Sequence, residues 1–317
     1  MNREFRRLAL KKIAETTGAS VANTLSSNGN KVKEIITLAR IFKDAGGLTS
    51  HVEKKLNVSP SEVEPSDFKS KFLKLKAGPE RENLVFQEVI KRGPSTFGNL
   101  VPITVDGPGG TKITYKAMAR PITIDGFRVP MAGQTLQKIA DHFGMSLPTS
   151  KITEQIWDEA GKTGGQIAAK PLSGSGVTFS DGQRFTAKQV VENLISDSRS
   201  ADAYNKIMDD YIANMFKGKE PDLIAGEGKT IVLTDRPEKL GLYGARDSKG
   251  NVIQTSEYTP HDTSVHSEYM TFGRLLGGDV TITFQSGKTI PSTMDKVLNH
   301  PKLYKAISNS KVKKYTL

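Results

Sequence analysis

The sequence predicts an α+β protein, with a helical front of about 75 residues followed by a mixed domain of antiparallel hairpins packed on helices. Three observations lead there. Apolar residues in the front recur at helical spacing. From Leu100 onward, short runs rich in β-branched residues are joined by glycine turns, as in LVPITVDGPGGTKITYKAM. Two amphipathic stretches, 132–160 and 186–217, stand between these hairpins.

In the front, residues 1–75, Phe5, Leu8 and Ile13 and then Val32, Ile35, Ile36, Ala39 and Phe42 mark two helices. Gly46 and Gly47 end the second, 48–56 makes a third, and Ser59 with Pro60 opens a fourth as a serine cap and a first-turn proline. Within this block IAETTGASVANTLSSNG (13–29) resembles a repressor helix-turn-helix, with Gly18 at the turn and 20–25 opening a recognition helix. That helix offers Asn23 but no arginine to read a base edge, so an accessory or docking domain is the competing reading.

The main domain, 76–317, begins with an amphipathic helix at 80–91. Strands at 100–107 and 112–122 then form a hairpin around PGGT, a glycine loop without the Gly-Lys-Ser/Thr ending of a phosphate loop. A short hairpin turns at Asp125-Gly126. The helix at 132–143 buries Leu136, Ile139, Ala140 and Phe143 and stops at Gly144. Leu147-Pro148-Thr149 starts the next helix, with Ile152, Ile156 and Trp157 inward. The glycine-, serine- and alanine-rich stretch 161–182 reads as a long surface loop or lid. The region 186–217 is helical in two pieces, and its Asp202, Asp209 and Asp210 lack the pattern of a calcium loop. From Asp222 the character is β, with LIAGEGKTIVLTD, KLGLYGARDSKGNVIQ and the hairpin GGDVTITFQSGKTIPS, closed by one or two short helices in TMDKVLNHPKLYKAISN.

Composition narrows the chemistry. The chain has no cysteine, which excludes disulfides, zinc–thiolate sites and a cysteine nucleophile. A net charge of +11 favours an anionic partner: a cell-wall polymer first, nucleic acid or an acidic membrane face otherwise. The start, MNREFRRLALKKIAETTG, has no apolar signal core, and no run nears the roughly 18 apolar residues a membrane helix needs. The expectation is synthesis in the cytoplasm without a classical signal, with action at the cell envelope by another route.

The candidate site is the stretch 258–274, YTPHDTSVHSEYMTFGR, which holds two of the five histidines. His261 and His266, five apart, converge only from a loop. With Asp262 they make a donor set suited to zinc, and Glu268 would then be the general base of a metal-activated water. The metal-free alternative uses an imidazole as acid–base, oriented by Asp262, with Lys229 or Arg274 stabilising an oxyanion. Ser264 and Ser267 are candidate nucleophiles, though no Gly-x-Ser-x-Gly elbow frames them. A polar loop whose histidines cap backbone groups is the non-catalytic reading.

The blocks FRVPMAGQTLQKIADHFGMSLPTSKITEQIW, LIAGEGKTIVLT, LYGARDSKGNVIQ, the histidine stretch through YMTFGRLL, and IPSTMDKVLNHPKLYKAIS, in this order, resemble a family of uncharacterised, mostly secreted bacterial proteins. The resemblance covers roughly 80–308. It implies one domain with one polar site, and Lys229, Tyr243, His261, Tyr269 and Arg274 match positions characteristic of the family. The family pattern has a histidine soon after the Tyr-Gly pair and a Ser-His-Gly after the tyrosine; this chain has Ala245-Arg246 and Met270-Thr271-Phe272 there. A basic chain of this kind, with a helical module ahead of such a domain, fits a phage-type lysis enzyme that hydrolyses peptidoglycan. A non-enzymatic binding or virion protein, or a DNA-binding protein, are the alternatives.

Overall fold

The structure is a computed structural model, and it describes residues 68–236, 239–253 and 267–312. The chain divides into two units, Met1–Pro65 and Ser66–Leu317, and the described residues all lie in the second. The helices expected in 1–67, the helix-turn-helix at 13–29 and the basic tail at Lys313 and Lys314 lie outside the described residues.

Helix α1 (Phe68–Lys74) and helix α2 (Pro79–Arg92) open the unit. Phe68 and Phe72 of α1 lie on one helical face and meet Phe127, with Phe72 and Phe127 ring centroids 5.3 Å apart. Arg81 of α2 is 1 % exposed, its guanidinium 5.1 Å from the Phe72 ring centre. It donates to the Ser196 carbonyl and the Ser198 hydroxyl, both at 3.0 Å, and Ser198 donates to the Leu75 carbonyl. One buried cation thus fastens α2 and the end of α1 to the region 196–198.

The strands β1 (Leu100–Asp106) and β2 (Lys112–Met118) pair as the expected hairpin, and β3 (Thr123–Ile124) with β4 (Phe127–Arg128) turns at Asp125-Gly126. Helix α3 (Gly133–Phe143) ends on Gly144 in the left-handed region, φ 64°, where a side chain would be strained. Helix α4 (Ser150–Gly161) is capped by Thr149, whose hydroxyl accepts from the Ile152 N–H at 3.1 Å.

The stretch expected to loop over the surface, 161–182, instead feeds the core. Ile167, Ala169, Leu172, Val177 and Phe179 are all buried. Ile167 and Ala225 run side by side, with Ile167 N–H donating to the Ala225 carbonyl and Ala225 N–H to the Gly165 carbonyl. A Cβ on Gly165 would sit 1.9 Å from the Leu223 carbonyl oxygen. The small residues here serve close backbone approach, which composition alone does not separate from a loop. A short helix α5 (Leu172–Ser175) and the hairpin β5 (Val177–Thr178) and β6 (Arg184–Phe185) complete the stretch.

The region 186–217 is helical in two pieces, as expected. Helix α6 (Ala187–Gln189) starts from a Thr186/Gln189 capping box and widens into a π-type turn, and α7 (Ser198–Phe216) follows an Asp197 cap.

The remaining strands are β7 (Lys229–Leu233), β8 (Leu240–Tyr243), β9 (Thr271–Phe272), β10 (Leu276–Thr283) and β11 (Thr289–Thr293), followed by helices α8 (Met294–Asn299) and α9 (Tyr304–Ile307). The four-stranded antiparallel sheet has the order β1-β2-β10-β11. Ile103, Ile113, Tyr115, Val280 and Ile282 point to its buried face, against α4, α8 and α9. Thr104, Thr114, Thr281 and Thr283 line the other face, the alternation expected of a sheet with one solvated side. The three-stranded sheet, β8-β7-β9, departs from the hairpin expectation: β9 runs parallel to β7 because a long excursion separates them. No described helix is long and apolar enough to cross a membrane.

Candidate functional site

Tyr258, His261, Asp262, Ser264 and His266 lie outside the described residues, and the stretch 258–274 enters the described structure at Ser267. From there on its placement is set by backbone pairing. Lys229, the first residue of β7, stands opposite Thr271 of β9, and its N–H donates to the Met270 carbonyl at 2.8 Å. The Thr271 N–H donates to the Glu268 carbonyl at 3.0 Å. These bonds hold Lys229 and Glu268 face to face. Lys229 Nζ lies 2.5 Å from Glu268 Oε2, with Glu268 buried and the lysine side chain 15 % exposed. Burial strengthens such an attraction and excludes competing water. Near Glu268, the Ser267 and Thr271 hydroxyls are buried and have no hydrogen-bond partner among the described residues.

The neighbouring candidates have structural attachments. Tyr269 is buried against Tyr204, with ring centroids 5.4 Å apart, and its hydroxyl bonds to Ser173. Burial pushes the Tyr269 phenol above its ordinary pKa. Tyr243 ends β8 opposite Thr230, one residue along β7 from Lys229, and is half-buried. Arg274 is buried and donates to the carbonyls of Ile224 at 2.6 Å and Met118 at 3.3 Å, with Glu227 at 3.5 Å. Its burial pulls the guanidinium down to about 10. The space beside Arg274 and Thr230 is ≈ 20 Å³, room for one water-sized molecule rather than a substrate.

Glu227 organises a buried charge network that residue types alone do not reveal. It is 2 % exposed and accepts from Arg128 Nε at 2.8 Å, with Arg274 at 3.5 Å and Arg120 at 3.7 Å. Arg128 continues to Asp209 at 2.8 Å and to the Asn205 side chain. Tyr204 donates to the Glu227 carbonyl at 2.5 Å. The sequence signal is the Gly-Glu-Gly triplet. A Cβ on Gly226 would fall 2.1 Å from the Ile167 carbonyl oxygen, and one on Gly228 would fall 2.5 Å from the Phe272 ring. Flanking glycines let the backbone carry a carboxylate this deep.

The described part of the site therefore offers one buried ion pair, Lys229–Glu268, adjoining the histidine-bearing segment, and behind it a network occupied in holding the fold. Among the described residues no group of three or more His, Asp or Glu side chains is arranged to hold a metal ion; the zinc donor set His261, Asp262 and His266 lies outside them. Comparison of the chain with family models, with curated proteins and with solved structures returns no match.

Proposed function

We propose that the chain is a hydrolase of the bacterial cell wall, of the phage-lysis type, with His261 and His266 as its acid–base groups and the Lys229–Glu268 pair as their fixed polar floor. The observation that carries this reading is the pair itself. Glu268 stands two residues from His266 and is held within 2.5 Å of a lysine ammonium in a site where water is scarce. A carboxylate so placed can orient or deprotonate a water, and the ammonium can stabilise the oxyanion that forms. Arg274, engaged by two carbonyls and Glu227, leaves the cationic role to Lys229. His261, Asp262 and His266 also form a donor set suited to zinc, which would supply an activated water. The net charge of +11 would concentrate the chain on anionic wall polymers.

Lysis of purified peptidoglycan, followed by turbidity and zymography, tests this directly. His261→Ala and His266→Ala are expected to lose lysis while keeping the melting transition, and Glu268→Gln to lose lysis at temperatures well below a lowered melting transition, since it leaves the Lys229 ammonium without its carboxylate. Full lysis by all three would remove this site from the chemistry.

A binding role without catalysis is the second reading, favoured by the structural employment of Tyr269 and Arg274. It predicts retention of the chain on wall polymer with no release of soluble fragments.

A further inference from the structure

Away from Lys229, the first turns of α2 and α3 border a half-open cleft of ≈ 380 Å³, within the size range of small-molecule sites. Glu82, Asn83, Phe86 and Gln87 line it from one face of α2, and Thr135 and Lys138 from α3. Glu82 is the unusual member. Its Oε2 accepts the Ala132 N–H at 2.9 Å, and the carboxyl also bonds to the Thr135 hydroxyl. Its Oε1 is buried and has no hydrogen-bond partner among the described residues. Buried polar atoms are normally satisfied, and an orphaned carboxyl oxygen in the wall of a cleft calls for a donor. Lys138 is exposed, as are the amides of Asn83 and Gln87, while the Phe86 ring is half-buried.

We propose that this cleft binds a small zwitterion, an α-amino acid or a dipeptide with both ends free. The ammonium pairs with Glu82 and rests on the Phe86 ring, and the carboxylate is met by Lys138 and the neighbouring amides. Opposite charges in the wall discriminate. A simple anion meets Glu82, a simple cation meets Lys138, and an apolar molecule leaves both without partners.

Calorimetric titration of the full chain with alanyl-alanine, N-acetyl-alanyl-alanine and alanyl-alanine amide tests the proposal. Only the free dipeptide is expected to saturate. Glu82→Gln preserves the acceptor for Ala132, and Lys138→Ala alters an exposed side chain, so both variants fold; each is expected to weaken the free dipeptide about ten-fold. Saturation by none of the three probes, equal binding of all three, or wild-type affinity in both variants would overturn it. These outcomes do not depend on any activity at Lys229.

Discussion

Glu227→Gln isolates the contribution of the buried charge network. The substitution keeps the shape of the side chain, so no cavity forms, but it removes the one carboxylate shared by Arg128, Arg274 and Arg120. Arg128 retains Asp209, although Asp209 is 57 % exposed and its attraction is weakened by water. Arg274, buried, then faces backbone carbonyls and an uncharged amide in place of the carboxylate. Removing one partner of a buried ion pair costs about 3–5 kcal/mol, because a charge remains without compensation. In a unit of about 250 residues, 1 kcal/mol moves the melting temperature by roughly 2 °C, so a fall of roughly 6–10 °C is expected. Asp209→Asn is the control. It removes an exposed partner of the same guanidinium and is expected to cost no more than about 1 kcal/mol, or roughly 2 °C. Differential scanning calorimetry on the two variants decides the matter. A Glu227→Gln shift no larger than that of Asp209→Asn would refute the claim that this carboxylate holds the buried arginines in place.

Other consequences are open to measurement. Lys229→Met is expected to abolish wall lysis and also to lower the melting temperature, because Glu268 is left buried without its cation; lysis at the wild-type rate below that temperature would separate the ion pair from the chemistry. Glu82, whose pKa burial raises, contributes stability that is full below the ordinary glutamate range and is lost as pH rises through its folded value. Glu82→Gln should therefore melt like the wild type near pH 4 and progressively higher than it toward pH 8; a pH-independent difference would contradict the shift. Phe72→Ala empties a fully buried position between Phe68 and Phe127 and should cost about 3–5 kcal/mol in urea unfolding, whereas a loss below about 1 kcal/mol would mean α1 is not docked. Gly165→Ala forces a methyl group toward the Leu223 carbonyl and should lower the melting temperature more than Gly164→Ala, whose site is open but strained; the reverse order would sink the close-approach argument.

Much of the architecture is legible because its signals are local. Leu136, Ile139 and Ala140 followed by Gly144 delimit α3, and Asp125-Gly126 marks the β3–β4 turn. The stretch 161–182 misleads because glycine, serine and alanine report close packing as readily as they report a loop, and only the extended segment at 223–225 that pairs with it distinguishes the two. The parallel β7–β9 pair carries no turn signal, so nothing local announces it. At the candidate site, residue types single out Lys229 and Glu268 separately. Their meeting across 39 residues depends on that same parallel pairing. Glu227 looks like an ordinary surface glutamate until the glycines beside it are weighed against Ile167 and Phe272.

The attachment of α4 to α9 bears on how the chain leaves the ribosome. The Thr149 hydroxyl donates to the Ile307 carbonyl, 158 residues away, and Gln155 and Lys151 reach the carbonyls of Ala306 and Lys305. β2, likewise, waits for β10. In a nascent hairpin of β1 and β2 the β2 edge therefore stays bare while more than half of the domain is still being translated. At elongation rates of roughly 5–20 residues per second, that leaves roughly 8–30 seconds in which a ribosome-associated chaperone has a strand to shield.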